Sequence, residues 1–448
     1  MGKLFGTDGI RGEANRPPMD GPTGFSLGHS LGTILRRGDR PLRVVLGKDT
    51  RISGDMLESA VAAGIASAGV DVLTAGVLPT PGVAFLTRDL KAGAGVMISA
   101  SHNPFQDNGI KVFSAEGTKL SDEEEAALEE GILQGPSPHT GAPPLPGRIL
   151  PLADAPSRYG AFLQETFPKG LSLKGLRLVL DTANGATFET APAVFQDLGA
   201  EVEVLHHRPD GKNINAACGS EDTRVLEARV RETAAGLGLA FDGDGDRLVA
   251  VDEAGRRLTG DQVLMILARD LKERGALAGD LLVTTVMSNL GLTEACARLG
   301  IRHHASRVGD RFVLEEMRRL GAVLGGEDSG HMILLDHHTT GDGILSGLQL
   351  LACLIRSGSP LSELAGVMTV FPQALVNVEV SRKPDLVSLP AVSRAIGDVE
   401  SELGERGRVL VRYSGTQNVC RVMVEGPTPG ETQQACERIA LAVETEIG

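Results

Sequence analysis

The feature that most constrains the fold is a strand–helix–strand pattern that occurs three times along the 448 residues. The first strand of each copy is an apolar run, at Leu42–Gly47, Leu176–Leu180 and Leu281–Val286. A polar turn follows, and then a helical pattern at Met56–Ala68, Glu189–Leu198 and Leu292–Leu299. Second strands are predicted at Val70–Leu73, Glu201–Leu205 and Ile301–His304. Since a strand, helix and strand within about 30 residues is typical of a parallel βαβ unit, we predict three similar mixed α/β domains.

Each copy continues into another apolar strand and then a loop rich in polar side chains. The strand–loop pairs are Gly95–Ile98 with Ser99–Pro104, Leu239–Phe241 with Asp242–Arg247, and Ala322–Leu324 with Gly325–His331. Ligands of open α/β sheets gather at the carboxyl ends of the strands. We therefore expect the three loops to line one cleft.

The pattern changes from about Thr369, where a smaller α+β domain is predicted. Its predicted elements are a strand at Leu375–Val380, a helix at Leu389–Leu403, a hairpin of Val409–Arg412 and Val419–Val424, and a helix at Gly430–Ile447. The hairpin presents one loop. The predicted α/β domains cover residues 1–150, 151–252 and 253–368, and the C-terminal domain covers 369–448.

Charge and composition exclude several classes of protein. The net charge of −14 argues against nucleic acid as a partner, because its phosphates require a basic surface. No run of about 18 apolar residues predicts a membrane span, and the polar stretch Met1–Gly12 does not resemble a signal peptide. Five widely spaced cysteines fit neither a disulfide framework nor a zinc site, which favours reduced, buried thiols in a cytoplasmic protein.

The segment Asp242–Arg247 reads DGDGDR and predicts a metal site. Its carboxylates alternate with glycine directly after an apolar strand, and hard oxygen ligands select Mg²⁺ or Ca²⁺. An EF-hand is disfavoured because Arg247 stands where its turn requires glycine, and because Leu248–Val251 is predicted to be a strand. An acidic turn without metal is the remaining alternative.

The segment Ile98–Pro104 reads ISASHNP and places Ser101 in a turn after a strand. Taken alone, Ser101 and Asn103 could simply satisfy hydrogen bonds of the turn. Beside a metal loop, however, the hydroxyl of Ser101 is a candidate phosphoryl acceptor, and its phosphate would supply a further metal ligand. His102 is a candidate orienting group.

Two other loops carry groups suited to a sugar phosphate. In Gly325–His331, Glu327 and Ser329 can bond sugar hydroxyls, and His331 can move a proton near neutral pH. In Arg412–Asn418 (RYSGTQN), a guanidinium, hydroxyls and a glycine suit a phosphate-binding turn. Either loop by itself could also be a plain turn.

Cations lie within several glycine-rich motifs of this acidic chain. They are Arg11, Lys111, Arg247, Arg311, Arg412 and Arg421. A cation beside a transferring phosphoryl group offsets its charge. Any one of them, Lys111 included, could otherwise be an ordinary surface charge.

Taken together, these motifs resemble those of the α-D-phosphohexomutases in residue type and in order. The matching segments are Phe5–Gly12, Ile98–Pro104, Asp242–Arg247, Val308–Met317, Gly325–His331 and Arg412–Gly426. The resemblance covers nearly the whole chain. It implies three similar α/β domains and a C-terminal α+β domain around a central active-site cleft.

The resemblance also implies roles for individual residues. Ser101 matches the phosphoserine, and Asp242, Asp244 and Asp246 match the ligands of one Mg²⁺ that the serine phosphate also binds. Glu327 and Ser329 match sugar-hydroxyl contacts. The residues matching phosphate-binding groups are Arg412, Ser414, Gly415, Thr416 and Arg421, and those matching basic groups at the reacting phosphoryl are Arg11, Lys111, Arg247 and His331. Asp328, Gln417 and Asn418 differ from the residues usual in the family.

The activity implied is interconversion of glucosamine 6-phosphate and glucosamine 1-phosphate through glucosamine 1,6-bisphosphate. The product would feed the synthesis of UDP-N-acetylglucosamine and cell-wall precursors, and the family suggests a homodimer. Three alternatives stay open at this point: a mutase for mannose or glucose phosphate, a metal-dependent phosphatase, and a non-catalytic binder of Ca²⁺ or sugar phosphate.

Overall fold

The computed structural model describes residues 4–6, 8–38, 41–135, 144–414 and 418–448. The chain forms two compact units. The first contains the residues up to Met287 together with Ile301–Val367, and the second contains Ser288–Gly300 together with Met368–Gly448.

The first sheet lies in the first unit and has six strands. They are β1 (Ile10–Glu13), β2 (Arg43–Lys48), β3 (Asp71–Val77), β4 (Ala94–Ile98), β5 (Asp107–Ser114) and β6 (Ile149–Pro151), in the order β1-β5-β4-β2-β3-β6. The helices of this part of the chain are α1 (Gly21–Arg37), α2 (Gly54–Ser67), α3 (Thr80–Asp89) and α4 (Asp122–Gln134). Helix α4 begins with the capping box of Ser121 and Glu124.

The second and third sheets, also in the first unit, have four strands each. The second consists of β7 (Arg177–Asp181), β8 (Glu201–Leu205), β9 (Leu237–Phe241) and β10 (Leu248–Val251), with helices α5 (Ala155–Thr166), α6 (Thr190–Asp197) and α7 (Arg224–Thr233). The third consists of β11 (Leu281–Thr285), β12 (Arg302–Ser306), β13 (Leu324–Gly326) and β14 (Met332–Leu334). The helices that follow β10 are α8 (Gly260–Glu273), α9 (Leu290–Leu299), α10 (Asp310–Leu320), α11 (Gly343–Ser357) and α12 (Leu361–Leu364).

The predicted threefold repeat is confirmed by the strand order. The sheets contain the runs β5-β4-β2-β3, β10-β9-β7-β8 and β14-β13-β11-β12. In each run the last three strands are parallel and the first is antiparallel to its neighbour. The predicted functional loops follow β4, β9 and β13, which occupy the same place in each run. The repeat therefore brings equivalent loops to equivalent strand ends.

Two details differ from the prediction. Strand β13 begins at Leu324, the last residue of the predicted strand Ala322–Leu324, and continues through Gly326. Gly325 fits there because a Cβ would lie 2.6 Å from the sulfur of Met317. Strand β1 was not predicted at all, and it pairs antiparallel with β5, placing Arg11 opposite Gly109. As predicted, Leu248–Val251 is a strand, which excludes the helix that an EF-hand would need there.

Part of the glycine content of the chain is explained by the packing of α1 on α2. A Cβ on Gly28 would lie 2.2 Å from the carbonyl oxygen of Val61, and one on Gly64 would lie 2.1 Å from that of Phe25. The two helix backbones can touch only because both residues are glycine. Helix α1 begins at Asp20, whose carboxylate accepts a hydrogen bond from the Thr23 amide.

The second unit contains a three-stranded antiparallel sheet and two long helices. Besides α9, its elements are β15 (Gln373–Glu379), β16 (Arg408–Tyr413), β17 (Val419–Glu425), α13 (Pro390–Leu403) and α14 (Pro429–Ile447), with sheet order β15-β17-β16. Val392, Val399, Val422, Ile439 and Val443 are among the residues of its core.

Short 3₁₀ helices lie at Gly219–Glu221, Ala278–Asp280, Ala365–Val367, Leu386–Ser388 and Gly404–Arg406.

Glu425 joins the two chain segments of this unit. Its fully buried carboxylate accepts hydrogen bonds from the Leu290 amide at 2.9 Å, from Asn289 at 3.3 Å and from Gln373 at 3.0 Å. It also pairs with Arg408 at 2.7 Å, and Arg408 in turn donates to the carbonyl oxygen of Ser288. The carboxylate therefore lies at the N-terminus of α9, where a negative charge is favoured.

We expect Glu425→Ala to destabilise the second unit by about 3 kcal/mol or more, because Arg408 and several donors would lose a buried acceptor. The chain has no tryptophan and two tyrosines, Tyr159 and Tyr413. Urea denaturation followed by tyrosine fluorescence in a Tyr159→Phe background would report on Tyr413, in β16. Glu402→Ala is the matched control, since Glu402 pairs with Arg438 at the exposed surface and should change the midpoint little. Equal midpoints for both variants would contradict this account of Glu425.

All five cysteines are free and buried, as predicted. Among the described residues, no single helix has the length and apolar character of a membrane span. The bent pair Gly343–Ser357 and Leu361–Val367 meets the same criteria when its two helices are taken together.

Candidate active site

Ser101 lies one turn beyond the end of β4 and is almost fully buried. Its backbone is in the left-handed region, with φ of 52°, which is uncommon for a residue other than glycine. Its hydroxyl donates a hydrogen bond to Oδ2 of Asp242 at 2.5 Å, and its amide donates to the hydroxyl of Ser99 at 2.9 Å. The structure therefore joins the serine loop of the first sheet to the acidic loop of the second.

The three aspartates of the acidic loop are buried and close together. One carboxylate oxygen from each of Asp242, Asp244 and Asp246 lies within 4.8 Å of the others. Gly243 makes this approach possible, because a Cβ there would lie 2.5 Å from the carbonyl oxygen of Ser101. Gly245 has φ of 74° and allows the loop to reverse.

The electrostatics of these carboxylates fit a divalent cation. Burial and the neighbouring Asp246 and Asp244 raise the pKa of Asp242 well above its ordinary value. Oδ1 of Asp244 and Oδ1 of Asp246 are buried without a hydrogen-bond partner among the described residues. Unpartnered carboxylate oxygens that repel one another are a donor set that a hard cation would satisfy.

Lys111 lies beside the same carboxylates. Its ammonium is 2.9 Å from Oδ2 of Asp244, 3.4 Å from Oδ2 of Asp246 and 3.3 Å from Oδ2 of Asp8. Burial lowers the pKa of Lys111, but Asp244, Asp8 and Asp246 outweigh that effect and raise it well above the ordinary value. Three carboxylates therefore surround the Lys111 ammonium and favour its charged form.

Arg247 and Arg11 lie near the serine loop, where burial and these two positive charges lower the pKa of His102. The Arg247 guanidinium is 3.9 Å from both Glu221 and Asp246, and its buried Nε has no hydrogen-bond partner among the described residues. Arg11 pairs with Asp8, and its Nη1 donates to Asn103 at 3.5 Å. Both cations thus belong to the group that surrounds Ser101.

His331, the last residue of the third loop, lies close to the acidic loop. Its Nδ1 is 3.7 Å from Oδ2 of Asp246, its Nε2 is 3.6 Å from Oδ2 of Asp310, and the Gly341 amide donates to Nε2 at 3.1 Å. Burial lowers the pKa of His331, but Asp246, Asp310 and Glu327 raise it by more, so the net shift is upward. The sequence placed His331 at the site, and the structure brings it against the acidic loop.

The other two residues predicted in the third loop differ in exposure. Glu327 is half-buried, with Oε1 accepting from the Gly309 amide at 3.0 Å, and burial and Asp310 raise its pKa. Ser329 is exposed. Between them, the carbonyl oxygen of Asp328 accepts a hydrogen bond from the Gly260 amide, and its Oδ1 accepts one from the Asp261 amide at 3.1 Å. The Asp328 side chain thus adds one hydrogen bond to the start of α8, which Thr259 caps.

Sequence reasoning missed several charged residues that belong to this site. Lys119 bridges Asp8 at 2.5 Å and Asp310 at 2.7 Å, so its ammonium connects the N-terminal motif to α10. Thr80 donates to Oδ2 of Asp244 at 2.5 Å. Asp8 and Asp310 stand inside motifs that the sequence analysis had noted, whereas Lys119 and Thr80 carry no local signal.

A second group of potential ligands, Asp181, His206 and Cys218, does not resemble a metal centre in its chemistry. The carboxylate of Asp181 already accepts from the Ala183 amide and from His206, each at 2.9 Å. Burial and the charges of Asp181 and Asp222 raise the pKa of the Cys218 thiol to about 12. Both oxygens of the Asp181 carboxylate are thus already engaged within the protein, so we assign this group to the packing of the second sheet.

The predicted phosphate-binding loop lies in the second unit, between β16 and β17. Arg412 and Arg421 are opposite each other on these strands. Burial and Arg421 lower the pKa of Arg412, and neither guanidinium has a carboxylate partner among the described residues. Ser414 is buried, and its carbonyl oxygen accepts from Lys383 at 2.8 Å. Gly415, Thr416 and Gln417 lie outside the described residues.

The whole sequence matches four models of one family. They are described as phosphoglucomutase/phosphomannomutase alpha/beta/alpha domains I, II and III, at residues 2–138, 158–255 and 259–371, and the C-terminal domain, at residues 375–442.

Individual proteins match along their full length. The chain is 58% identical to a phosphoglucosamine mutase of Syntrophobacter fumaroxidans over 450 residues, covering 100% of both, and 52% identical to one of Syntrophus aciditrophicus, again covering 100% of both. Among solved structures, a putative phosphomannomutase from Thermus thermophilus is 26% identical, with a TM-score of 0.79 and 98% of each chain covered. A phosphoglucomutase/phosphomannomutase family protein from Burkholderia thailandensis has the same fold at 23% identity, with a TM-score of 0.80 and coverage of 98% of this chain and 97% of that one.

Proposed function

The chain belongs to the phosphoglucomutase/phosphomannomutase family, and we propose that it interconverts glucosamine 6-phosphate and glucosamine 1-phosphate through a phosphoserine at Ser101. The observation that carries the proposal is the contact of the buried Ser101 hydroxyl with the acidic loop, 2.5 Å from Asp242. We choose glucosamine phosphate as the substrate because the relatives of 58% and 52% identity carry the name phosphoglucosamine mutase.

The proposed reaction consists of two phosphoryl transfers. In the first, the bond between phosphorus and Ser101 Oγ breaks while a bond forms to O1 of glucosamine 6-phosphate, and the O1 proton passes to a base at the site. The product is glucosamine 1,6-bisphosphate. In the second, Ser101 Oγ takes the phosphoryl group from O6, which is protonated as glucosamine 1-phosphate leaves.

The chain's own residues have separate tasks in these transfers. Lys111, Arg11 and Arg247 offset negative charge on the phosphoryl group, as a loose transition state requires. His331 is our candidate for moving the hydroxyl proton. Glu327 and Ser329 would bind sugar hydroxyls, and Gly415 and Thr416 would complete the phosphate-binding turn with Ser414.

We further propose that the cation is Mg²⁺, held by Asp242, Asp244, Asp246 and the Ser101 phosphate. When bound there, it would withdraw charge from the transferring phosphoryl group. In keeping with the sequence-based expectations, we assign the protein to the cytoplasm and regard a homodimer as its expected assembly.

Phosphorus NMR tests the reaction and the substrate together. The purified protein with Mg²⁺ is given the 1-phosphates of glucosamine, glucose and mannose in separate samples, each with the matching 1,6-bisphosphate. We expect the glucosamine compound to convert fastest to its 6-phosphate. Faster conversion of the glucose or mannose compound would keep the chemistry and change the substrate, whereas stoichiometric inorganic phosphate would indicate a phosphatase. Binding without any conversion would indicate a non-catalytic protein.

Arg412→Ala is expected to raise the KM for glucosamine 1-phosphate by roughly 10²-fold, because it removes a guanidinium available to hold the non-reacting phosphate. We expect kcat to change much less. Steady-state kinetics would measure KM and kcat. Arg408→Lys would be an unsuitable control, because Arg408 is bound to Glu425. Arg438→Ala removes an exposed arginine of the same unit and should leave the KM unchanged. An unaltered KM in Arg412→Ala would remove Arg412 from phosphate binding.

A further inference from the structure

The main chain of the serine loop is bound by a fully buried arginine. All the donor nitrogens of the Arg51 side chain are engaged: Nε by Asp49 at 2.8 Å, Nη2 by the carbonyl oxygens of Ser101 at 2.9 Å and Asn103 at 2.8 Å, and Nη1 by the carbonyl oxygens of Pro104 and Asp107. The side chains of Arg51 and Asp49 are completely inaccessible to solvent. A buried guanidinium with this set of partners fixes the path of the loop.

Asp49 extends the same network to the amide of Ser101. Its Oδ2 accepts from the Ser99 hydroxyl at 2.6 Å, and the Ser99 oxygen accepts from the Ser101 amide at 2.9 Å. Both the amide and the carbonyl group of Ser101 are therefore held by the turn that follows β2, on the first sheet. This is where the left-handed φ of 52° needs support.

A second side chain reaches the same two carbonyl oxygens from the second sheet. Nδ2 of Asn215 donates to the oxygen of Ser101 at 2.8 Å and to that of Asn103 at 3.0 Å. The backbone of Gly243, inside the acidic loop, contacts the same Ser101 oxygen, since a Cβ on Gly243 would lie 2.5 Å from it.

Further hydrogen bonds join the loops of the first sheet to those of the second. The Thr50 hydroxyl donates to the carbonyl oxygen of Asn184 at 2.6 Å, and the Ile52 amide donates to that of Gly211 at 2.9 Å. The segment around Arg51 and the loop that carries Asn215 are thus bound to each other as well as to the serine loop.

We propose that Arg51, which follows a strand of the first sheet, and Asn215, from a loop of the second, are positioning residues. Both donate hydrogen bonds to the carbonyl oxygens of Ser101 and Asn103 and so hold the Ser101 hydroxyl against the acidic loop. The inference rests on the proposed function, because it assumes that Ser101 carries the transferred phosphoryl group. Neither residue touches the reacting atoms. Their effect is therefore on the rate of transfer and not on the binding of sugar phosphate.

Asn215→Gly is the sharper test, since glycine tolerates the left-handed φ of 57° at this position. We expect kcat to fall by about 10²-fold, the order of loss that a displacement of roughly 1 Å at a reacting group causes, while the KM stays within about twofold. Amide hydrogen exchange over residues 99–107 should become faster. Asn213→Gly is the matched control, because the Asn213 side chain bonds only within its own loop, to Arg208 and Asp210, and it should change neither readout.

Arg51→Lys provides an independent variant, because an ammonium cannot reach all the acceptors of a planar guanidinium. We expect the same fall in kcat with an unchanged KM and, again, faster exchange over residues 99–107. Unaltered kcat or unaltered exchange in Asn215→Gly would overturn the proposal while leaving the mutase activity of the wild-type protein intact. An inactive wild-type protein would instead overturn the proposed function.

Discussion

Ser101→Ala is expected to lower turnover by a factor on the order of 10⁴ or more, the scale of loss when a catalytic nucleophile is removed. Two other hydroxyls of the described site are already engaged, that of Ser99 by Asp49 and the Ser101 amide, and that of Thr80 by Asp244. The fold should persist, because alanine occupies left-handed backbone elsewhere in this chain, at Ala183 and Ala234. The variant should also accept no phosphate from a sugar 1,6-bisphosphate, which intact-mass spectrometry would measure directly.

Ser30→Ala is the matched control for this substitution. Ser30 is also buried, but it lies on α1 and donates to the carbonyl oxygen of Leu128, away from the cluster around Ser101. It should retain full turnover and become phosphorylated at Ser101. Near-normal turnover in Ser101→Ala would exclude a phosphoserine mechanism, and a phosphorylated Ser101→Ala protein would place the modification on another residue.

Asp244→Asn is expected to remove metal binding with little change in shape. Oδ2 of Asp244 accepts from Thr80 and Lys111, and an asparagine oxygen can accept the same bonds. Its amide nitrogen would then take the place of the unpartnered Oδ1 and direct hydrogens at the cation position. We expect turnover to fall by about 10²-fold to 10³-fold, comparable to the loss of one group that stabilises transition-state charge.

Thermal unfolding gives this prediction a readout that does not depend on activity. Mg²⁺ at 100 times its Kd would stabilise the wild-type protein by about 2.7 kcal/mol, whereas Asp244→Asn should show no such gain. Asp20→Asn is the matched control, because asparagine caps α1 as well as aspartate does, and it should keep the response to Mg²⁺. A wild-type protein that Mg²⁺ neither stabilises nor activates would contradict the metal assignment.

Local sequence patterns were sufficient to predict most of the strands and helices and the loops that carry the candidate site residues. An apolar run before a polar loop is a local signal, and it correctly located β4, β9 and the loops that carry Ser101 and Asp242. The parallel pairing within each repeat followed from the βαβ pattern alone. Glycine alternating with aspartate likewise indicated a cluster of carboxylates, because those residues are close together in the chain.

The rest of the site depends on partners that are distant in sequence. Strand β1 has four residues and pairs with β5, about a hundred positions later, so no local periodicity reveals it. Lys119 is indistinguishable in sequence from a surface lysine until Asp8 and Asp310 are brought to it. Arg51 stands in the polar turn after the first predicted strand, where no local signal indicates burial, whereas the structure buries it under the serine loop. Burial of a charge is a property of the assembled fold and not of any one segment.

The buried carboxylate of Glu425 has a consequence for how such a chain could be divided in evolution. Its partners Asn289 and Leu290 are encoded some eighty codons before the residues of the second unit that begin at Met368. A recombination event that moved residues from Met368 onward into another gene would leave Glu425 and Arg408 without the N-terminus of α9. Both stretches of the gene, that for Ser288–Gly300 and that for Met368–Gly448, would therefore have to be transferred together for the second unit to keep these buried hydrogen bonds.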